Sequence, residues 1–358
     1  MKRALIFVAI LSTIVALPLA RAAEGDLLDV RATQDATIKL IFDTDIGGDI
    51  DDAFALALIH RLADRGVCEA LGITLTNSLP AAAEFVAAQN AVFGRPDIPV
   101  GLPRSAEGDG DSYPSAMLAR RLADGSAEYP VPSGFEPEEP IALLRRLLAS
   151  APDASVVVVQ VGFSTNLAAL LDSPGDDCSP LTGKELAARK VRLLSVMGGA
   201  FALDPTAEEY RGHRESNVRF DVESARKLAR EWPTPIVYCG YEVGSRIRTS
   251  PVNLKRDYRS RKARFLRDAF AHWASLNAPQ EGLDHRRPTW DLESVLFVLR
   301  PEKGRGYFSL SEPGNVDFSD EGVTLFTPTE SGTRRAFIVD ELARARVGEA
   351  IANLCSEP

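Results

Sequence analysis

Apolar, β-branched runs alternate with helix-length segments along most of the chain. Continuous apolar strands with intervening helices are typical of a parallel sheet that is covered on both faces. The pattern therefore predicts a doubly wound, Rossmann-like α/β fold with a mostly parallel sheet. Strands are predicted over 37–45, 69–77, 98–102, 155–162, 191–199 and 234–242. Helices are predicted over 51–65, 81–93, 140–150, 166–171, 222–232 and 259–276.

The C-terminal part of the chain has a different pattern. Residues 307–340 alternate short strand-like runs with Gly and Asp/Glu turns, which predicts an antiparallel addition to the sheet. A closing helix is predicted over 341–354. The polar, glycine-rich stretch 105–117 is expected to be a mobile surface loop. Because 204–215 follows the end of an apolar strand, it is expected to form a flap over a site.

The first residues have the pattern of a secretory signal. Basic residues precede an apolar run over 4–19, and a small-x-small cleavage pattern ends at Ala22. The run is short for a bilayer span, and no later segment is long and apolar enough to cross a membrane. We therefore expect a signal peptide over 1–22, an exported protein that is periplasmic or secreted, and one domain over 23–358.

The net charge and the cysteines of the chain bear on its binding partners and on its covalent structure. Signal removal takes three basic residues and no acidic one, so the formal charge goes from −9 to −12, which disfavours nucleic acid as a partner. The four cysteines lack metal-ligand spacing. Cys68 and Cys239 lie in strand-like runs and are expected to be buried thiols. Cys178 and Cys355 lie in polar surroundings, where an exported chain permits a disulfide between them.

The densest chemical feature is the stretch LIFDTDIGGDIDDAFALAL, from Leu40 to Leu58. A predicted strand ends in aspartates, Gly47 and Gly48 allow a tight turn, and a further aspartate pair opens an apolar helix. Carboxylates so close together repel one another, so a compensating cation is implied. Since Cys and His are absent nearby, the set suits a hard divalent ion such as Ca²⁺ at the carboxyl edge of the sheet.

Two other motifs share part of this aspartate pattern. An EF-hand loop needs a bidentate Glu where Phe54 stands, and a helix where a strand is predicted. A phosphatase nucleophile of the Asp-x-Asp-x-Thr type needs a Thr where Gly47 stands. Both patterns are incomplete, which favours a metal site built at the end of a strand.

Five segments in order resemble the nucleoside hydrolase family of the inosine-uridine preferring type. They are DTDIGGDIDDAFAL (43–56), VGFSTNLAALL (161–171), VMGGA (196–200), ESNVRFDVESA (215–225) and PTWDLESVLFVLRP (288–301). The resemblance spans nearly all of the chain after the signal. It implies a catalytic domain that hydrolyses the N-glycosidic bond of ribonucleosides to free base and ribose, with Ca²⁺ as cofactor.

The resemblance also implies roles for individual residues. Metal ligands would be Asp45, Asp52, Asp291 and the backbone carbonyl of Val161. Ribose hydroxyls would be bound by Asp51, Glu215 and Asn217. Asp45 would in addition take the proton of a metal-activated water, which then attacks the anomeric carbon.

The sequence departs from the family pattern in places that leave several roles open. Two extra residues precede the aspartate pair, so Asp49 is an alternative metal ligand, and Asp43 is a further candidate. Ser216 stands where an aromatic residue is common. Asn77, at the end of a strand, is a candidate substrate ligand. Alternatively, it would orient an aspartate or only terminate the strand. Asn166 would cap a helix or contact the ligand.

The group that assists the leaving base is also open. Trp290 stands where a histidine is common in the family and would stack on the base or pack internally. His213 and His285 lie in predicted loops, where each would reach the base or stay solvated. His60 and His272 are expected at the surface of helices.

Two alternatives to ribonucleoside hydrolysis follow from the sequence. One is a non-catalytic exported protein that binds nucleoside or ribose on the same fold, and the other is a hydrolase of a different N-riboside. In each case the partner is a small ribonucleoside-like molecule, and the sequence allows a homo-oligomer.

Overall fold

The computed structural model describes residues 37–106, 110–203, 205–249, 260–299, 307–338 and 341–356. The predicted signal peptide lies outside the described residues. Within these ranges, helices long and apolar enough to cross a membrane do not occur.

The strands confirm the predicted doubly wound architecture. Ten of the described strands form one sheet in the order β11-β10-β12-β6-β5-β4-β1-β2-β3, with β9 paired to β12. Neighbours from β12 to β3 along this order are parallel. The strands are β1 (Ile38–Thr44), β2 (Cys68–Leu75), β3 (Val100–Gly101), β4 (Val156–Gln160), β5 (Val191–Met197), β6 (Ile236–Cys239), β7 (Arg248–Thr249), β8 (Arg287–Pro288), β9 (Ser309–Leu310), β10 (Gly314–Phe318), β11 (Thr324–Pro328) and β12 (Arg334–Ile338).

Helices follow most of the parallel strands, as predicted. They are α1 (Asp51–Asp64), α2 (Pro80–Val92), α3 (Pro114–Leu118), α4 (Pro140–Ser150), α5 (Thr165–Asp172), α6 (Gly183–Lys190), α7 (Ser216–Phe220), α8 (Val222–Glu231), α9 (Tyr241–Arg246), α10 (Arg261–Asn277), α11 (Trp290–Leu299) and α12 (Glu341–Ser356). Short 3₁₀ helices cover Pro205–Tyr210 and Gly282–Asp284.

Both faces of the sheet are buried, which explains the continuous apolar strands. Leu40 and Phe42 of β1 belong to one core, whereas Ile41 between them belongs to the core on the other face. Because successive side chains of a strand point to opposite faces, each face needs its own helical layer.

The order of the strands reverses next to β1. The chain runs from β1 outward through β2 to β3, then returns to β4 on the other side of β1 and continues outward to β6. At such a switch point the connections leave the carboxyl ends of two adjacent strands in opposite directions, which opens a crevice between them. Asp45 and Val161 follow the carboxyl ends of β1 and β4, so both lie at this crevice.

The antiparallel C-terminal addition is confirmed, with one difference. Strand β10 pairs antiparallel with both β11 and β12. Strand β12, however, pairs parallel with β6 and so extends the main sheet. The closing helix α12 lies where it was predicted.

Some local predictions are wrong. His60 is fully buried, where its Nε2 lies 2.9 Å from the Asn90 Oδ1 and its ring stacks on Phe93 at 4.8 Å. Helix α1 is packed against α2, α11 and α12, so it has little solvent-facing surface for a histidine. Burial lowers the pKa of His60 to about 3, so the ring is neutral. His272 is half-buried.

The stretch predicted as a surface loop is partly core. Tyr113 is fully buried with its ring 5.1 Å from that of Phe85, and α3 follows it directly. Residues 107–109 of this stretch lie outside the described part of the chain. Cys178 is exposed and Cys355 is buried, and the permitted disulfide between them is not formed. Cys68 and Cys239 are buried, as predicted.

Candidate active site

The loop that follows β1 is held in place from two sides. The Thr44 hydroxyl donates to the Asp52 carboxylate and accepts the Ile46 N–H at 3.2 Å. The Asn77 amide, just beyond β2, donates to the carbonyls of Asp45 and Ile46 at 2.7 and 2.9 Å. Asn77 therefore fixes the backbone that carries Asp45, and its side chain lies behind the cleft described below.

Three buried carboxylates meet where α1 and α11 begin. Carboxylate oxygens of Asp51, Asp52 and Asp291 all lie within 4.8 Å of one another. Burial, followed by the charges of the neighbouring carboxylates, raises the pKa of Asp51 and of Asp291 well above the usual range. Asp45 adds negative charge from the end of β1. An all-oxygen donor set at this spacing fits a hard divalent cation such as Ca²⁺, because the cation would relieve the repulsion.

These carboxylates open into a cleft of about 500 Å³ at the carboxyl edge of the sheet. The structure brings ten of the predicted site residues into its wall, namely Asp45, Asp49, Asp51, Asp52, Val161, His213, Glu215, Asn217, Trp290 and Asp291. The predicted flap thus contributes to the wall through its last residues. The wall also contains residues that the sequence did not single out, which are Met197, Arg214, Arg219 and Tyr241.

The wall beyond β4 and β5 is built around Glu215. Its carboxylate accepts the backbone N–H groups of Gly199, Asn217 and Val218 at 2.8 to 3.1 Å. Burial raises the pKa of Glu215 to about 7. The Asn217 amide donates to the Val161 carbonyl at 2.6 Å, so Asn217 sets the position of the carbonyl that the family pattern assigns to the metal.

Asp43 and Asn166 form a buried pair behind the cleft. The Asn166 amide donates to an Asp43 carboxylate oxygen and to the Leu75 carbonyl, each at 2.8 Å. The helix-cap prediction for Asn166 is wrong, because Ser164 occupies the N-cap of α5. Asn166 lies outside the cleft wall. The fold brings α5 against the ends of β1 and β2, where the amide satisfies buried acceptors instead. Burial raises the pKa of Asp43 to about 7.

Asp49, the alternative metal ligand, has a positively charged partner. Its carboxylate forms an ion pair with the guanidinium of Arg287 and accepts the Ile50 N–H at 2.7 Å. That guanidinium lies over the rings of Trp290 and Trp273, 4.6 and 5.0 Å from their centroids. Arg287 was missed because its sequence signal is weak, since it is only a basic residue four positions before Asp291. Its contact with Asp49 joins distant parts of the chain.

Aromatic rings form one side of the cleft. His213 stacks on Tyr241 with ring centroids 4.0 Å apart, and Tyr241 stacks on Trp290 at 5.2 Å. The Trp290 indole N–H donates to the Tyr241 carbonyl and the Ser245 hydroxyl at 3.0 and 3.1 Å. Trp290 therefore packs internally while part of it lines the cleft. A signal for Tyr241 was present, because it lies at the carboxyl end of the predicted strand 234–242.

The two loop histidines occupy different places. His213 is half-buried in the cleft wall, where burial and the charge of Arg219 lower its pKa. His285 lies outside the wall, with its Nδ1 3.0 Å from a Glu281 oxygen and its ring against Trp273. His213 is therefore the loop histidine that lines the cleft.

The doubly wound sheet places the cleft at its switch point, where α/β proteins of this architecture bind their ligands. The buried carboxylates of the cleft suit a hard cation. The chain belongs to the inosine-uridine preferring nucleoside hydrolase family, whose model matches residues 40–349. This membership assigns the hydrolysis of ribonucleosides to the chain, and the family is metal-dependent. Curated protein sequences give no match.

Solved structures of nucleoside hydrolases share the fold. The plant nucleoside hydrolase PpNRh1 superposes with a TM-score of 0.66 at 21% identity, covering 90% of this chain and 100% of the plant chain. A purine-preferring ribonucleoside hydrolase from Gardnerella vaginalis gives 0.64 at 20% identity, with 89% and 99% covered. An inosine-uridine preferring nucleoside hydrolase from Bacillus anthracis gives 0.62 at 17% identity, also with 89% and 99% covered. At such identities the likeness establishes the fold.

Proposed function

We propose that this protein is an N-glycosidase that cleaves ribonucleosides to free base and ribose at the carboxylate cleft, with Ca²⁺ as cofactor. The observation that carries the proposal is the buried set Asp51, Asp52 and Asp291, which meets Asp45 in one cleft at the switch point. Relatives of the same fold are named for purine ribonucleosides and for inosine and uridine, which supports a ribonucleoside substrate.

Asp45 is the proposed general base. It lies in the cleft wall at the end of β1, and Asn77 fixes its backbone through the bond to its carbonyl. A carboxylate in this position accepts the proton of a water that attacks the anomeric carbon. When bound by Asp45, Asp52, Asp291 and the Val161 carbonyl, a divalent cation supplies positive charge that acidifies water and fixes ribose hydroxyls.

The ribose is held on both sides of the attacked carbon. Asp51 is the proposed ligand of a hydroxyl near the cation site, and Glu215 and Asn217 are the proposed ligands of the remaining hydroxyls. Fixing the sugar in this way removes part of the entropic barrier to attack. The carboxylates of the cleft also stabilise the positive charge that develops on the ribosyl group as the bond to the base breaks.

The departing base meets the aromatic side of the cleft. The glycosidic electron pair moves to the base nitrogen, and the base then needs a proton or another form of stabilisation. Trp290 cannot supply a proton, because an indole N–H does not titrate near neutral pH. His213 is the proposed donor, since it lies in the wall and stacks on Tyr241.

We also propose export to the periplasm or the medium, with the mature protein beginning near Ala23 as a single catalytic domain. The basic and apolar N-terminal pattern supports this proposal. N-terminal sequencing of protein recovered from the periplasmic and culture fractions tests it.

Activity is tested by incubating the mature protein with purine and pyrimidine ribonucleosides in Ca²⁺ and measuring free base and ribose. Asp45→Asn is expected to lower turnover by at least about a hundredfold, as for loss of a general base, while part of the Ca²⁺ binding is retained. Asp97→Asn, at an exposed position outside the cleft, is the matched control. Absence of base release from every nucleoside would overturn the proposal, and tight nucleoside binding without turnover would identify a binding protein instead.

A further inference from the structure

A buried carboxylate that the proposed mechanism does not use lies next to Tyr241 of the cleft wall. Glu242, the second residue of α9, is buried and lies outside the wall itself. Its Oε1 accepts the backbone N–H groups of Phe201 and Ala202, each at 3.1 Å, and its Oε2 lies 3.2 Å from the Phe201 nitrogen. These bonds join the loop after β6 to the loop after β5.

The turn that Glu242 holds has an unusual backbone conformation. Ala202 has a φ of 46°, in the left-handed region that alanine rarely adopts. Phe201 beside it is buried, with its ring 5.5 Å from that of Tyr238 and 6.1 Å from that of Phe326. The carboxylate supplies the acceptor for the N–H groups of both residues, so it stabilises the turn in this conformation.

Gly199 connects this turn to the substrate-binding side chains. Its N–H donates to the Glu215 carboxylate at 3.1 Å, and its carbonyl accepts the Tyr241 N–H at 2.8 Å. Glu215 is the proposed ligand of a ribose hydroxyl, and the Tyr241 ring stacks on His213. A shift of residues 199–202 would therefore displace the sugar side and the base side of the cleft together.

The room for the Glu242 carboxylate depends on Gly240. A Cβ at position 240 would lie 2.6 to 2.8 Å from the carboxylate atoms of Glu242, which is closer than such atoms pack. The φ of Gly240 is −75°, which any residue adopts, so the backbone alone does not require glycine here. The missing side chain is what allows the carboxylate to reach the turn.

We propose that Glu242 is a positioning residue for the nucleoside. By holding residues 199–202, it keeps Glu215 in place for the ribose and His213 in place for the base. It acts through the backbone of the turn and does not itself line the cleft. This inference rests on the proposed function, because that function assigns Glu215 to the ribose.

Ribose binding tests the position of Glu215 without catalysis. Calorimetry with the Ca²⁺-loaded protein measures the Kd of ribose, and a separate titration measures the Kd of Ca²⁺. Glu242→Ala should weaken ribose binding at least about tenfold, as for the loss of one charge-assisted hydrogen bond to the sugar. The affinity for Ca²⁺ should stay unchanged, because Asp51, Asp52 and Asp291 belong to α1 and α11.

Three further variants separate positioning from a general loss of stability. Gly240→Ala should also weaken ribose binding, because its Cβ displaces the carboxylate. Glu242→Gln should retain most of the affinity, because one amide oxygen can accept both N–H groups. Arg145→Ala is the matched control. Arg145 is buried outside the cleft wall and donates to the carbonyls of Ser179 and Leu181 at 3.1 and 2.9 Å, so its loss should lower Tm and leave ribose binding unchanged.

Wild-type ribose affinity in either Glu242→Ala or Gly240→Ala would refute the inference. Equal losses of ribose affinity in Glu242→Ala and Arg145→Ala would also refute it, because general destabilisation would then explain both. With nucleosides, we expect kcat/KM of Glu242→Ala to fall by at least about tenfold, in step with the ribose affinity. Absence of turnover with every nucleoside would overturn the proposed catalysis, whereas the ribose titrations would still decide the role of Glu242.

Discussion

Removing the divalent cation should destabilise this protein in a pH-dependent way. The oxygens of Asp51, Asp52 and Asp291 lie within 4.8 Å of one another, so each ionised pair repels by at least about 3.5 kcal/mol at an effective dielectric constant of roughly 20. Three such pairs amount to about 10 kcal/mol, which is comparable to the whole stability of a typical folded protein, about 5–15 kcal/mol. The metal-free protein therefore cannot keep all three carboxylates ionised, and protons or a cation must neutralise part of the charge.

The sign of the pH dependence follows from the raised pKa values of Asp51 and Asp291. A carboxyl group with a raised folded-state pKa contributes stability below its unfolded pKa of about 4, and this stability is lost as pH rises through the folded-state pKa. Metal-free protein should therefore lose stability between pH 5 and pH 8. Because Ca²⁺ competes with protons for the same oxygens, its stabilising effect should be larger at pH 8 than at pH 5.

Thermal unfolding of chelator-dialysed protein, with and without added Ca²⁺, measures this effect. At a Ca²⁺ concentration of about 100 times Kd, the stabilisation is about 2.7 kcal/mol. For a chain of this size, with an unfolding entropy of roughly 0.7 kcal/mol/K, that corresponds to a rise in Tm of about 4 °C at pH 8. Asp291→Asn should abolish most of the rise and also raise the Tm of the metal-free protein, because it removes one repelling charge. Asp97→Asn, at an exposed turn, should behave like the wild type.

Two results would contradict this reasoning. A Ca²⁺-induced rise in Tm that survives Asp291→Asn would place the cation elsewhere. A metal-free protein that is as stable at pH 8 as at pH 5 would show that the carboxylates are neutralised by groups of the chain itself.

The remaining predictions concern residues that the structure relocated. Asn166→Ala leaves the buried acceptors of Asp43 and Leu75 without their 2.8 Å bonds, so we expect a loss of about 2–4 kcal/mol in denaturant unfolding, and a loss near zero would refute this role. His213→Ala should slow base release by about tenfold or more, while His285→Ala should have little effect. Similar losses from both histidine variants, measured on the same nucleosides, would show that His213 is not the proton donor.

Local sequence patterns were sufficient to predict those elements whose structure depends on residues adjacent in the chain. Strand β1, the glycine turn and helix α1 follow from the order of apolar residues, glycines and aspartates, because each element depends on periodicity and turn geometry. The motif order identified the family as well, since each short segment carries its own signature. Ten of the site residues predicted from the sequence consequently line the cleft.

The burial of polar side chains on helices could not be predicted from local sequence patterns. His60 lies on an amphipathic pattern, yet α2, α11 and α12 cover α1 on several sides, and only the packed structure shows this. Asn166 resembles a helix cap in sequence, but the approach of α5 to the ends of β1 and β2 turns its amide toward Asp43.

The sequence by itself determined the fold class, the acidic motif and the family, because these depend on residues that are close together in the chain. Only the tertiary structure decided which charges meet. Asp49 pairs with Arg287, and His213 stacks on Tyr241, although the partners in each contact are far apart in sequence. The fold also leaves His285 outside the cleft, in contact with Glu281. Such contacts depend on how helices and loops pack over the sheet, and local residue patterns carry no record of that packing.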